Sequence, residues 1–474
     1  MTVPSLLFLA FSLAAAVAYN LPFGRIWRSL ILLAANVAFL ASFAPSLASL
    51  LPFAGFLLFG YVAVRALQAK RTGALMWLMV AATLFVFLWL KRYPVAPAEL
   101  FLNYPYLTIG LSYVFFRVMH LVIDAGQGQL TTRLPWLNYV NFTLNFLSLV
   151  SGPIQRYEDY TEQQDRKTSG IDALALVKVA ERVTLGVFKV FVVSMLLLDQ
   201  HKLAVAALAS DISAVEAIGI TLQIVLLYPL YLYANFSGYC DVVIALGRLF
   251  RLELPENFNR PFSSENFINF WSRWHITLSG WLKTYVYSPL MMTLMPKVRG
   301  GAAADALVGA FAFFVTFFLV GAWHGTTTEF LFFGLLQGGG VAVNKLYQVF
   351  MAARLSKKGY RALSNNAFYS AVCRGLTFVW FGFTMLWFWG DWSTIASLGL
   401  AIGWAGGLSA FAIALILMTA ILALYVALMK YIDVGAAGGW KHSRVMLATA
   451  QLTAIWAFAV IFSTPAPEIV YKAF

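Results

Sequence analysis

A chain of 474 residues that is 61% hydrophobic and 11% charged, with a mean hydropathy of +0.77, has too little polar surface to close a water-exposed globule; soluble domains are about a quarter charged. Its formal charge of +13 does not point to nucleic acid, because the cations are scattered in short loops such as Arg25/Arg28, Lys70/Arg71 and Lys357/Lys358, the pattern of membrane-flanking segments. These properties exclude an ordinary soluble domain and predict an all-α polytopic membrane protein.

Apolar runs of roughly the 18 residues a bilayer requires recur along the chain, at Val3–Tyr19, Leu50–Leu67, Ala74–Leu90, Ala304–Val320, Phe411–Leu428 and Met446–Phe462. About eleven to fourteen transmembrane or re-entrant helices are predicted on this criterion. Several are broken by Gly, Pro or charge, as helices lining a cavity are. The first 20 residues read as an uncleaved span, because no basic stretch precedes the apolar run despite the small residues Ala14–Ala18. Lys91/Arg92 would fall opposite Lys70/Arg71 in an alternating count, so the loop charges leave absolute orientation open. Cys240 and Cys373 have neither a zinc spacing nor a disulfide framework, and no metal or resident cofactor is expected. A single membrane domain is read, with N-terminal helical hairpins over 1–95, a chemically richer core over 104–345 and C-terminal helices over 352–474 that carry no residue assignable to chemistry. No internal repeat interrupts it.

Polar residues concentrate after Pro94. Arg117 and His120 lie three apart on one helical face of Tyr104–Asp124, and ionisable groups at membrane depth face an interior or a cavity. Gly152-Pro153 ends a helix before a polar loop reaching Gly170. A helix over Ile171–Leu198 follows, whose first half carries Lys178, Glu181 and Arg182 and reads as interfacial. Asp241 sits in an otherwise apolar helix with Ser237 one turn earlier, and such a charge needs a partner or water.

The segment FWSRWHITLSGWLK, Phe270–Lys283, reads as one helix. At 100° per residue, Trp271, Trp274, Leu278, Trp281, Leu282 and Tyr285 form an apolar stripe, with His275 at its edge beside Ser272 and Ser279. Arg273, Gly280 and Thr284 take the far side. A second histidine, His324, ends the run Ala304–Val320 in the sequence GAWHG, where Gly321 and Gly325 permit close backbone approach. A desolvated neutral imidazole is suited to accept a proton. The glycine-rich run Gly334–Lys345 lacks the Lys-Ser/Thr ending of a phosphate-binding loop and reads as a helix-packing face.

In that order, SGPIQRY, YANFSGYCDVVIALGRLF, LPENFNRPF, FWSRWHITLSGWLKTYVYSPL and GAWHG resemble the membrane-bound O-acyltransferases, in the bacterial branch that acylates glycans such as alginate and teichoic acid. The resemblance covers Tyr104–Lys345. It implies many helices enclosing a funnel or tunnel, His324 as the principal histidine, and His275 as the second catalytic position. It further implies an acyl thioester donor, acetyl-CoA or an acyl carrier protein. The acceptor would be a hydroxyl of an exported glycan or an extracytoplasmic partner protein, at a bacterial cytoplasmic membrane. Acyl transfer needs a base for the hydroxyl proton and donors for the oxyanion. His324 is the expected base and His275 a positioning or stabilising group. Trp271, Trp274, Trp323, Ser279 and Asn269 are supporting candidates, while Asp241 and Arg273 are expected to shape the structure or its cavity. A transporter would use Arg117, His120, Asp241 and the histidines as a path, but would be expected to show paired broken helices in matching repeats, and none is visible.

Overall fold

The computed structural model describes residues 1–165, 172–208, 212–298, 300–437 and 453. It is 78% helical, with no strand among the described residues. Among the described residues, eight helices are long and apolar enough to cross a membrane. The higher number expected from sequence includes shorter apolar pieces such as Leu6–Tyr19, and the predicted span Met446–Phe462 falls outside the described residues apart from residue 453.

The helices are α1 (Leu6–Tyr19), α2 (Gly24–Ala41), α3 (Leu51–Ala69), α4 (Gly73–Leu90), α5 (Leu111–Gln127), α6 (Trp136–Thr143), α7 (Tyr157–Asp165), α8 (Ala173–Phe188) and α9 (Met195–Ala207). There follow α10 (Ala214–Leu249), α11 (Phe267–Trp271), α12 (Ile276–Leu282), α13 (Ser288–Leu294), α14 (Gly301–His324), α15 (Thr328–Ser364), α16 (Ala367–Thr384), α17 (Leu386–Trp389) and α18 (Trp392–Ala437). Two of the longest are interrupted, α15 at Ser356 and α18 at Gly403, where the backbone leaves helical geometry. The chain forms two compact units, one holding residues 1–191 and 236–256, the other residues 192–235 and the described residues from 257 onward.

In the first unit α5 is the buried centre, packed against α3, α4 and α6. Gly60 lets α3 approach it, because a Cβ there would fall on the Val118 side chain and the Tyr139 hydroxyl. Arg117 is 1% exposed. It donates to the carbonyls of Thr143 and Ser148 at 2.8 and 2.7 Å, to the Ser148 hydroxyl at 2.7 Å and to the Phe142 carbonyl at 3.4 Å. The Phe142 and Thr143 carbonyls are ones that the end of α6 leaves without a helical donor, so the guanidinium caps that helix while also holding Ser148 in the irregular stretch beyond it. The chain then runs irregularly from Leu144 to Arg156, and the helix end expected at Gly152-Pro153 comes earlier, at Thr143. His120 Nε2 accepts the Tyr157 backbone N–H at 3.4 Å, and its Nδ1 lies 3.3 Å from the Phe116 carbonyl. Both ring nitrogens are thereby engaged with backbone, a structural role.

The segment from Ala173 is not one regular helix: α8 ends in a π-helical turn, Lys189–Ser194. Gly186 and Gly238 face each other where α8 crosses α10, for a Cβ on either would meet the other's carbonyl at 2.6–2.7 Å. This close crossing brings Arg182 and Lys189 to Asp241. Lys189 Nζ reaches Asp241 Oδ2 at 2.7 Å, Arg182 reaches Oδ1 at 3.0 Å, and Arg182 also holds Glu256 with two bonds of 2.6 and 2.7 Å. Asp241 thus has the partner its burial requires, and Arg182 is a half-buried member of an ion network where an interfacial face was expected.

In the second unit α14 and α15 form a hairpin with backbone-to-backbone contact. A Cβ on Gly321 would fall on the Phe330 carbonyl and on the backbone of Gly334, and one on Gly338 would meet the Phe314 carbonyl at 2.5 Å. The glycine-rich run is accordingly a packing face. α16 lies along α18, with Phe378, Val379, Ala414, Met418 and Leu422 buried between them.

Candidate active site

The segment Phe270–Lys283 is not a single helix. α11 stops at Trp271, and α12 begins after His275, whose φ of +46° and ψ of +52° place it in the left-handed region. That conformation costs a residue with a Cβ on the order of 1 kcal/mol and persists only where surrounding contacts impose it. Here they are visible. Residues 257–259 run antiparallel to 273–276, joined by Asn259 N–H to the Arg273 carbonyl and Ile276 N–H to the Asn257 carbonyl, both 2.9 Å, around the paired Phe258 and Trp274. Asn257, 1% exposed, reaches inward: its Oδ1 accepts the Thr277 backbone N–H at 3.1 Å and hydroxyl at 2.9 Å, and lies 3.3 Å from His275 Nδ1. Trp274 completes the clamp, stacked on Phe270 at 5.6 Å and edge-on to Phe258 at 5.1 Å.

His275 is itself 1% exposed. Burial pushes its imidazole down to about 3, so the ring is neutral at physiological pH.

His324 is the last residue of α14 and is 4% exposed. Its ring sits among aromatics, 4.7 Å from Trp323, 4.8 Å from Phe388 edge-on and 6.0 Å from Phe333. Gly325 follows because a Cβ there would fall on the Phe330 ring, which itself lies 6.2 Å from the histidine. Trp323 is the common neighbour of both histidines, its ring centroid 6.5 Å from that of His275. The two buried histidines thus share one apolar, aromatic-walled region.

The other predicted residues divide. Trp271 is buried against Phe317 at 4.9 Å, and its indole N–H has no hydrogen-bond partner among the described residues. Ser279 is half-buried with its hydroxyl 3.5 Å from the Trp274 carbonyl. Asn269 serves α11, its backbone N–H capped by Asn266 and its carbonyl accepting from Ser272. Arg273 donates to the Ser263 hydroxyl at 3.1 Å, and its own carbonyl belongs to the antiparallel pairing. Asp241 belongs to the first unit and is occupied by Arg182 and Lys189. Among the described residues no group of three or more His, Cys, Asp or Glu could hold a metal ion.

Asn257 is the residue that sequence reasoning missed. It lies inside LPENFNRPF, and an amide residue in a loop bounded by Pro255 and Pro261 was its one signal. Phe333 and Phe388, which wall His324, carry no signal in sequence beyond hydrophobicity.

The family model described as "MBOAT, membrane-bound O-acyltransferase family" matches residues 56–373. The chain is 27% identical over 286 residues to the teichoic acid D-alanyltransferase of Bacillus subtilis (strain 168), covering 58% of this chain and 67% of that protein. It is 31% identical over 252 residues to a probable alginate O-acetylase of Pseudomonas aeruginosa, covering 52% of this chain and 45% of that protein. It is 32% identical over 213 residues to the peptidoglycan O-acetyltransferase of Helicobacter pylori, covering 45% and 38% respectively. The match therefore spans less than half the length of the two O-acetylating relatives. The matched interval contains both histidines, Asn257 and the α14–α15 hairpin entrance. This chain, a multi-pass helical membrane protein with two buried histidines in its second unit, belongs to the membrane-bound O-acyltransferase family.

Proposed function

We propose that this protein transfers an acyl group, acetyl from acetyl-CoA, to a hydroxyl of an exported glycan or of an extracytoplasmic partner protein, working in a bacterial cytoplasmic membrane. The observation that carries the reading is the pair of buried histidines, His275 and His324, sharing the neighbour Trp323 in an aromatic enclosure. In the proposed step a histidine nitrogen, assigned to His324, takes the hydroxyl proton while the oxygen bonds to the thioester carbonyl carbon. The C–S bond then breaks, and the thiolate leaves with the proton the histidine held. His275 acts beside it in positioning. The aromatic walls of Phe333, Phe388 and Trp323 exclude the water that would otherwise hydrolyse the thioester.

The relative from Bacillus subtilis is named for D-alanyl transfer, which favours a second reading in which the donor is a carrier-bound aminoacyl group. The two are separated by supplying proteoliposomes with acetyl-labelled CoA. Label should leave CoA at a rate that falls by about 10²-fold or more in His324→Ala, the range of general-base catalysis. Equal rates in wild type and His324→Ala would refute the base assignment. No consumption of acetyl-CoA by either, even with membranes and glycan from the source cell added, would refute that donor and favour the carrier protein.

A further inference from the structure

The hydrogen bonds around Asn257 determine more than where the His275 ring sits. A backbone N–H can only donate. The Asn257 side-chain atom that receives the Thr277 N–H at 3.1 Å is therefore its carbonyl oxygen, and that oxygen carries no hydrogen. The Thr277 hydroxyl, 2.9 Å away, donates to the same atom. His275 Nδ1 lies 3.3 Å from it, and a nitrogen lone pair pointed at an oxygen lone pair would repel, so Nδ1 carries the hydrogen. In a neutral imidazole only one nitrogen is protonated.

We infer that Asn257 is a positioning residue that holds His275 in its Nδ1-protonated tautomer, so that Nε2 bears the lone pair and His275 serves acyl transfer by accepting a hydrogen bond beside His324, not as a donor to the oxyanion. The tautomer follows from hydrogen-bond geometry alone; its consequence for the reaction rests on the acyltransferase reading. Two further features hold the ring in this state. The left-handed backbone at His275 leaves it no helical freedom, and the carbonyl of Asn257 grips the next residue through Ile276 N–H at 2.9 Å. Burial keeps the ring neutral, which is the condition under which a tautomer has meaning. His275 and His324 then stand together on the base side of the chemistry, and the oxyanion is met by other N–H or O–H groups.

The test uses the full chain in proteoliposomes with ¹⁵N-labelled histidine. Magic-angle-spinning NMR reports which nitrogen of each ring is protonated, and His275→Gln identifies the His275 signals by their loss. Wild type should show His275 protonated at Nδ1 and bare at Nε2. Asn257→Ala should populate both tautomers and lower kcat on the order of tenfold to a hundredfold, as loss of a histidine-orienting partner does, with KM for the thioester within about twofold. Asn257→Asp keeps the accepting oxygen, so it should restore both the tautomer and most of kcat while moving the acid limb of the kcat/KM profile to higher pH. A wild-type spectrum with Nε2 protonated, or an Asn257→Ala spectrum identical to wild type, would overturn the inference, and the wild-type measurement requires no variant to fold. If the tautomer is as stated but neither His275→Gln nor His324→Ala slows thioester consumption, the positioning by Asn257 is upheld and the acyl-transfer role of His275 is overturned.

Discussion

Adding one methyl group at Gly321 should damage this protein through geometry alone. The new carbon would fall on the Phe330 carbonyl oxygen and on the backbone nitrogen and Cα of Gly334, none of which can rotate aside. Normal carbon contacts begin near 3.5 Å, so α14 and α15 would have to separate by on the order of 1 Å. Overpacking of this sort costs about 1–3 kcal/mol, and the backbone identity of the neighbours places Gly321→Ala at the upper end. Alanine returns up to about 1 kcal/mol of helix propensity, leaving a net loss of about 2 kcal/mol. Gly339, in α15, is the internal control: nothing lies within 4 Å of its added carbon, so Gly339→Ala should be neutral or stabilising by up to about 1 kcal/mol. Because His324 ends α14 three residues after Gly321, a displacement near 1 Å also reaches the histidine, and misplacement on that scale can cost about 10²-fold in rate. Thermal unfolding in nanodiscs followed by intrinsic tryptophan fluorescence, together with thioester turnover, reads both effects. Equal melting of Gly321→Ala and wild type, or equal damage from Gly339→Ala, would refute the backbone-contact argument.

Asp241→Asn should destabilise the protein by about 2–4 kcal/mol, less than a fully buried broken pair because Arg182 and Lys189 are part-exposed; adding Lys189→Met should recover part of that loss, and a double variant no better than the single would count against the ion network. Trp271→Phe removes a buried N–H without a partner among the described residues, whose burial costs about 1–3 kcal/mol, and this offsets the loss of ring volume, so melting should change little; a fall equivalent to more than about 3 kcal/mol would count against an unpartnered indole. His275 is neutral when folded and titrates near 6.5 when unfolded. The unfolded chain therefore binds the extra proton between about pH 6.5 and the folded value near 3, and its contribution, full above about 6.5, is lost as pH falls through that window. His275→Gln should flatten the acid side of the stability profile by up to about 1.4 kcal/mol per pH unit, and an unchanged slope would place the imidazole in contact with water.

The helical membrane architecture was legible because hydrocarbon length and apolar runs are tied by a simple dimension. The place of His324 at the end of an apolar span was legible as well, since the run Ala304–Val320 leads straight into it. The break at His275 was not. Phe270–Lys283 satisfies helical periodicity throughout, and nothing in its composition announces a left-handed residue, because the cause lies in residues 257–259 paired alongside. Asp241 could be read as needing a partner, whereas the choice of Lys189 depends on the Gly186–Gly238 crossing and the π-helical turn that follows α8, both products of packing. His120 illustrates the reverse: its sequence setting suggested function as readily as structure, and only the Phe116 and Tyr157 backbone groups assign it to the scaffold.

Arg117 bears on how the protein is made. Its acceptors lie 25 to 31 residues downstream, at Phe142, Thr143 and Ser148, and so emerge from the ribosome after α5 is complete. A lone arginine at the centre of a helix handed to lipid raises the insertion free energy by about 2.5–3.5 kcal/mol. Delivery of α5 together with the chain through Ser148 as one unit would avoid that cost, because the guanidinium then meets its carbonyls first.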